Sequence, residues 1–123
     1  MPPKAEVFIA DQSQKWQANY ALWLPRGKHH IVGAATSVEQ ADALICGLRQ
    51  SGAVIDVFIV DKSVGRRARS RHGLSVVKTA QREYPGARII ATTNGVDGVD
   101  GMNSYLEKAD IEPSMLVNLI NAA

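Results

Sequence analysis

Four short runs of the chain are apolar almost without interruption: "AEVFIA" (5–10), "HIVGAA" (30–35), "VIDVFIV" (54–60) and "ARIIATT" (87–93). A fifth and shorter candidate is "SYLEK" (104–108). A strand with one wet face alternates apolar and polar residues. Near-continuous apolar runs predict strands of a parallel sheet covered on both faces. The segments between them carry the helical period instead. Ser13 can cap "QKWQANYALWL", whose Trp16, Tyr20 and Trp23 fall on one stripe before Pro25 ends it. "SVEQADALICGLRQSG" has Ser37 three residues before Gln40, a capping-box spacing, and Gly52 as a stop. Its Val38, Ala41, Leu44, Ile45 and Leu48 share one face. "GLSVVKTAQREYPG" aligns Leu74, Val77, Ala80 and Tyr84 and ends at Pro85-Gly86. "EPSMLVNLINAA" opens with Pro113 in a first turn and turns Leu116, Leu119 and Ile120 inward.

Strand alternating with helix predicts an α/β fold, a doubly wound three-layer sandwich. At 123 residues the simplest organisation is a single domain over 1–123. The alternation breaks once, at "NGVDGVDGMN" (94–103), where Gly95, Gly98 and Gly101 recur every third residue. Each interior glycine costs a helix about 1 kcal/mol. The expected fourth helix is therefore missing, or replaced by a glycine-rich loop. Asp97 and Asp100 in that segment mimic a calcium-loop rhythm without its closing glutamate, so turn chemistry accounts for them better.

Composition changes this picture little. A 46% hydrophobic, 21% charged chain is ordinary for a globular domain. No apolar run approaches a membrane span, and "MPPKAEVFIA" lacks signal-peptide architecture, so a cytoplasmic protein that does not enter membranes is expected. The lone Cys46 excludes an internal disulfide and a cysteine-cluster metal site; a small buried hydrophobe is the simpler role for it. Charge is local rather than global. Without Arg66, Arg67, Arg69 and Arg71 the formal charge falls from +2 to −2. That loop could contact an acidic partner, but a solvated loop is the plainer reading, and without interleaved aromatics it is a poor nucleic-acid footprint. His29-His30 shows no metal-ligand spacing and reads as packing.

Ligands of open α/β sheets bind beyond the carboxyl ends of the strands. Here those ends carry Asp11-Gln12, Asp61, Thr92-Thr93 and Lys108: carboxylates, hydroxyls and an ammonium on one rim. Lys62 stands beside Asp61, facing either it or solvent. "VFIAD", "DVFIVD", "GLSVVKTAQREYPGARIIATT" and "YLEK", in that order and spacing, resemble the receiver domains of two-component response regulators over essentially the whole chain.

The resemblance implies a CheY-like, flavodoxin-like five-stranded parallel sheet of order 2-1-3-4-5. It implies that Asp61 accepts a phosphoryl group from a histidine kinase or phosphotransfer protein, and that the domain then switches a downstream protein or output domain rather than acting as an enzyme. Asp11, Asp61, the Ser63 backbone carbonyl and, weakly, Gln12 would hold Mg2+. Lys108 and Thr93 would bind the phosphoryl oxygens, and Thr93 and Tyr105 would form the switch. Four features depart from the family pattern. Gln12 replaces its second acid, "KSVGRRARSRH" lengthens the loop after Asp61, Ala109 replaces a proline, and 94–103 replaces a helix. They motivate an alternative, a phosphorylation-independent pseudo-receiver used as a protein-interaction module. A flavodoxin-like small-molecule binder is a third reading, but "DQSQKWQ" is not the Ser/Thr/Gly-rich loop that would wrap a phosphate.

Overall fold

The computed structural model describes residues 4–61, 72–93, 104–107 and 111–121. Along the chain the elements are β1 (Glu6–Ala10), α1 (Gln14–Trp23), β2 (His30–Ala35), α2 (Val38–Gln50), β3 (Val57–Asp61), α3 (His72–Glu83), β4 (Arg88–Thr93), β5 (Ser104–Glu107) and α4 (Pro113–Asn121). A single 3-10 turn, Pro25–Gly27, follows α1. The strands pair in parallel in the order β2-β1-β3-β4-β5. The glycine-rich segment 94–103, expected in place of a fourth helix, lies outside the described residues.

Side chains alternate across the sheet, and each face has its own core. Val7, Ile9, Val57, Ile59 and Ile90 face one way and meet Tyr20 and Leu24 of α1 with Leu116 and Ile120 of α4. Phe8, Ala10, Phe58, Val60 and Ile89 face the other way, against Ala41 and Ile45 of α2 and Val76, Val77 and Ala80 of α3. This is the three-layer arrangement that the unbroken apolar runs require. It explains why β1 and β3, in the middle of the sheet, show no polar alternation.

The local signals work largely as their chemistry dictates. The Ser13 hydroxyl accepts from the Trp16 amide at 3.3 Å and Ser37's from the Gln40 amide at 3.1 Å, each satisfying a helix-start donor. The return arm of the Ser37–Gln40 capping box goes elsewhere: Gln40 Oε1 accepts from the Thr36 amide at 2.8 Å. Gly52 takes φ +80°, a left-handed value natural to glycine after a helix. Gly33 has a packing role, since a Cβ there would lie 2.9 Å from the Phe8 ring. The same stretch of β2 holds an irregularity, with Val7 opposite Ile31 but Phe8 opposite Gly33.

One boundary moves in a way that matters. The apolar run 54–60 becomes a strand only from Val57, and the strand continues through Asp61. Asp56 stands before it, its Oδ2 accepting from the Glu6 amide at 2.8 Å. Asp61 closes the strand, as the sequence placed it.

Candidate functional site

Parity along the strands selects what reaches the carboxyl edge of the sheet. In β3, Val57 and Ile59 face the α1–α4 layer, and Asp61 continues that series. In β1, Val7 and Ile9 face the same layer, and Asp11 follows them in register. Ala10 lies opposite Val60, so Asp11 and Asp61 are the next positions on neighbouring strands. Both carboxylates are buried, at 0% and 2% exposure.

Asp11 is held through its amide, its carbonyl and its Oδ1. Its amide donates to the Ala35 carbonyl at 2.9 Å, extending the β1–β2 pairing. Its Oδ1 accepts from the Ser13 amide at 2.9 Å, just ahead of α1, where the helix's positive end favours an anion. The Gln17 side chain donates to the carbonyls of Asp11 at 2.9 Å and Ala35 at 3.0 Å, fastening the first turns of α1 to the ends of both strands.

Two hydroxyls complete this corner. Thr92 is paired with Asp61 across β3 and β4, follows Ile90 in the same series and is wholly buried. Tyr20, on α1, is wholly buried as well. Burial pushes its phenol well above the ordinary tyrosine value. The negative charge of Asp11 pushes the same way, the Thr92 hydroxyl opposes, and Asp61 adds a further upward push. Tyr20 therefore stays a neutral O–H donor in a region of negative charge. Thr92 is its neighbour, yet neither Tyr20 Oη nor Thr92 Oγ1 makes a hydrogen bond of acceptable geometry.

The other expected site residues divide by position. Gln12 is exposed to solvent beside Asp11, unlike the two buried carboxylates. Thr93 ends β4 and pairs with Glu107, and Tyr105 pairs with Ala91; the side chains of both lie outside the described set. Ser63, Arg66, Arg67, Arg69, Arg71 and Lys108 also lie outside the described residues, as do Lys62, Asp97 and Asp100. His29 is a packing residue. Its Nδ1 accepts from the Ala5 amide at 3.1 Å and its Nε2 meets Asn121 Oδ1 at 2.9 Å. Cys46 is free and half-buried, not the fully buried hydrophobe its residue type suggested.

Sequence reasoning assigned Tyr20 to the core, which is correct for its ring, and missed its hydroxyl. The available signal was the residue type, since a phenol rather than a phenyl at a buried stripe position needs a polar destination. Thr92 was visible at the strand end, and the period of two already placed it with Ile90.

Among the described residues no group of three or more His, Cys, Asp or Glu side chains gathers as a metal site, so Asp11 and Asp61 are the carboxylates on offer at this edge. No described helix is long and apolar enough to cross a membrane.

No family model matches the chain. No curated protein matches it in sequence. Solved structures do. A CheY-like response regulator receiver domain from Methanospirillum hungatei superposes over 98% of this chain and 93% of its own, with a TM-score of 0.76 at 16% identity. A response regulator from Thermotoga maritima covers 98% of this chain and 100% of its own, with a TM-score of 0.74 at 18% identity. A response regulator protein from Burkholderia pseudomallei, solved with a phosphorylated aspartic acid, a calcium ion and citrate, covers 97% and 72%, with a TM-score of 0.71 at 20% identity. The chain has the α/β, parallel-sheet fold of response-regulator receiver domains.

Proposed function

We propose that this chain is a signalling receiver in which Asp61 accepts a phosphoryl group from a phosphohistidine of a kinase or phosphotransfer protein. The observation that carries the reading is the burial of two carboxylates, Asp11 and Asp61, side by side at the carboxyl edge of a receiver-type sheet. Like charges placed there oppose their own burial, so their pairing serves something other than packing. The Burkholderia relative, with its phosphorylated aspartic acid and calcium ion, supports the chemistry by similarity of fold.

The step balances simply. A carboxylate oxygen of Asp61 forms a bond to phosphorus as the P–N bond of phosphohistidine breaks. The histidine nitrogen leaves with the bonding pair, and with a proton already on its other ring nitrogen the departing ring is neutral imidazole. The product is an acyl phosphate on Asp61, a group carrying roughly two negative charges where the carboxylate carried one. Asp11 and Asp61 offer hard carboxylate oxygens of the kind Mg2+ takes. When bound, that ion would supply positive charge to offset the carboxylates and the incoming phosphoryl group. Gln12, exposed and uncharged, contributes at most an amide oxygen. By the sequence resemblance Lys108 pairs with the phosphoryl group, Thr93 bonds one of its oxygens, and Tyr105 responds to the change. The output is a shifted balance between two packings, read by a downstream protein or output domain, with no catalytic turnover.

Acetyl phosphate with Mg2+ tests this directly. Intact mass should show a single phosphoryl group gained by the native chain and none by Asp61→Ala. A native chain that gains nothing at saturating metal would overturn phosphoryl acceptance and leave the fold untouched.

One observation favours a second reading, a pseudo-receiver that binds its partner without phosphorylation: Gln12 puts a solvent-exposed amide where the family pattern has an acid. Under that reading partner binding survives Asp61→Ala. Loss of binding in that variant would reject it.

A further inference from the structure

Tyr20 joins two neighbourhoods that are otherwise separate. Its hydroxyl lies among Asp11, Asp61 and Thr92, where both carboxylates act on it electrostatically. Its ring belongs to an aromatic cluster on α1. Trp16 lies 5.8 Å away at a tilted 43°, and Trp23 lies 6.3 Å away edge-on at 88°. The two tryptophans also meet each other edge-on at 5.8 Å. Both are half-buried, so the cluster runs from the acid corner to the outside of the helix.

The hydroxyls are the informative part. Buried polar atoms are nearly always hydrogen-bonded, because leaving one unpaired is unfavourable. Here two such atoms, Tyr20 Oη and Thr92 Oγ1, neighbour each other without a hydrogen bond of acceptable geometry among the described residues, Thr92 lying across the ladder from Asp61. A phenylalanine and a valine would fill this space without that cost. Their donor capacity is held in reserve next to a residue whose charge is expected to change.

We propose that Tyr20 is a positioning residue for the acid corner and its reporter. Its hydroxyl, with that of Thr92, takes up a new hydrogen bond when the charge at Asp61 changes, and its ring carries that rearrangement to Trp16 and Trp23 on α1. The proposal rests on the phosphoryl-acceptor reading for the sign of the charge change, but the coupling of Tyr20 to Asp61 stands separately. A merely structural Tyr20 would set stability alone. A positioning Tyr20 also sets how tightly a phosphoryl analogue is held and whether the tryptophans sense it.

The experiment alters the charge at Asp61 in both directions, in the full chain. Beryllofluoride with Mg2+ adds charge, its binding followed by fluorine NMR. The Asp61→Asn substitution removes charge. The readout is tryptophan emission together with the Trp16 and Trp23 indole resonances, in the native background, in Tyr20→Phe and in Thr92→Val. The expected result is binding in all three backgrounds, weakened about tenfold in Tyr20→Phe through loss of a hydrogen bond to a charged group. The tryptophan response should be present in native protein and lost in Tyr20→Phe. Equal affinity and an equal tryptophan response in native protein and Tyr20→Phe would overturn the proposal. If beryllofluoride does not bind native protein, the acceptor reading fails and Asp61→Asn decides the coupling. An indole shift on Asp61→Asn that disappears in the Tyr20→Phe background upholds it; a shift that persists, or none in either background, overturns it. Unchanged far-ultraviolet circular dichroism of the variants shows that they fold.

Discussion

The two ends of the sheet spend their polar groups differently. At the amino end, His29 uses both ring nitrogens, tying the start of β1 to the last helix through Ala5 and Asn121. Asp56 caps the Glu6 amide at 2.8 Å, Tyr84 donates to the Ala53 carbonyl at 2.8 Å, and Arg88 donates to the Leu119 carbonyl. Those side chains close the bottom of the sandwich. At the carboxyl end two carboxylates are buried on adjacent strands, with two buried hydroxyls that make no hydrogen bond of acceptable geometry among the described residues. Pairing of buried polar groups is what stability selects. Departure from it, concentrated at the edge where α/β sheets bind ligands, is what makes this end the candidate site.

The contrast can be broken by substitution, and the amino end offers the largest effect. His29→Ala removes two hydrogen bonds and leaves a gap among β1, α1 and α4. It should cost about 2–4 kcal/mol in urea unfolding, a large part of a small domain's total. Tyr84→Phe removes a single bond and should cost about 1 kcal/mol. At the carboxyl end the same type of change should behave otherwise. Tyr20→Phe deletes a hydroxyl that has no partner, so its effect at neutral pH should lie within about 0.5 kcal/mol of zero, or be slightly stabilising. If Tyr20→Phe proved as costly as Tyr84→Phe, the two ends would not differ in kind.

How much of this was legible follows the same division. The apolar runs dictated a parallel sheet with two covered faces, because period and composition record burial directly. Capping by Ser13 and Ser37 was equally local, and both side chains make the bonds their spacing implies. The slip at β3 lay at its start, where Val54 and Ile55 are apolar without belonging to the strand, while Asp61 ends it where the sequence put it. Asp11 and Asp61 could be set on one edge from strand order and parity alone. Tyr20 could not. Its place depends on how far α1 slides along the sheet, and that is fixed by Gln17 reaching the Asp11 and Ala35 carbonyls, a tertiary contact. The arginine-rich loop and Lys108, prominent in the sequence, lie outside the described residues.

The smallest effect, and the most selective, is in alkali. An unfolded tyrosine loses its proton near pH 10. In the folded chain burial and the charges of Asp11 and Asp61 hold the Tyr20 proton to higher pH. Below the ordinary phenol range both states keep the proton, and this group gives no pH dependence. Above that range the unfolded state releases its proton while the folded state retains it. The folded state then binds more protons, and stability falls as pH rises. Tyr84, raised mainly by its own burial, acts in the same direction in both proteins and cancels from the comparison. Native protein and Tyr20→Phe should therefore show matching urea midpoints at neutral pH. Their midpoints should part above about pH 10, the native chain falling faster by the contribution of one titrating phenol. Curves that stay parallel through that range would mean the Tyr20 hydroxyl ionises as it does in water, and with that the buried acid corner would lose its neutral donor.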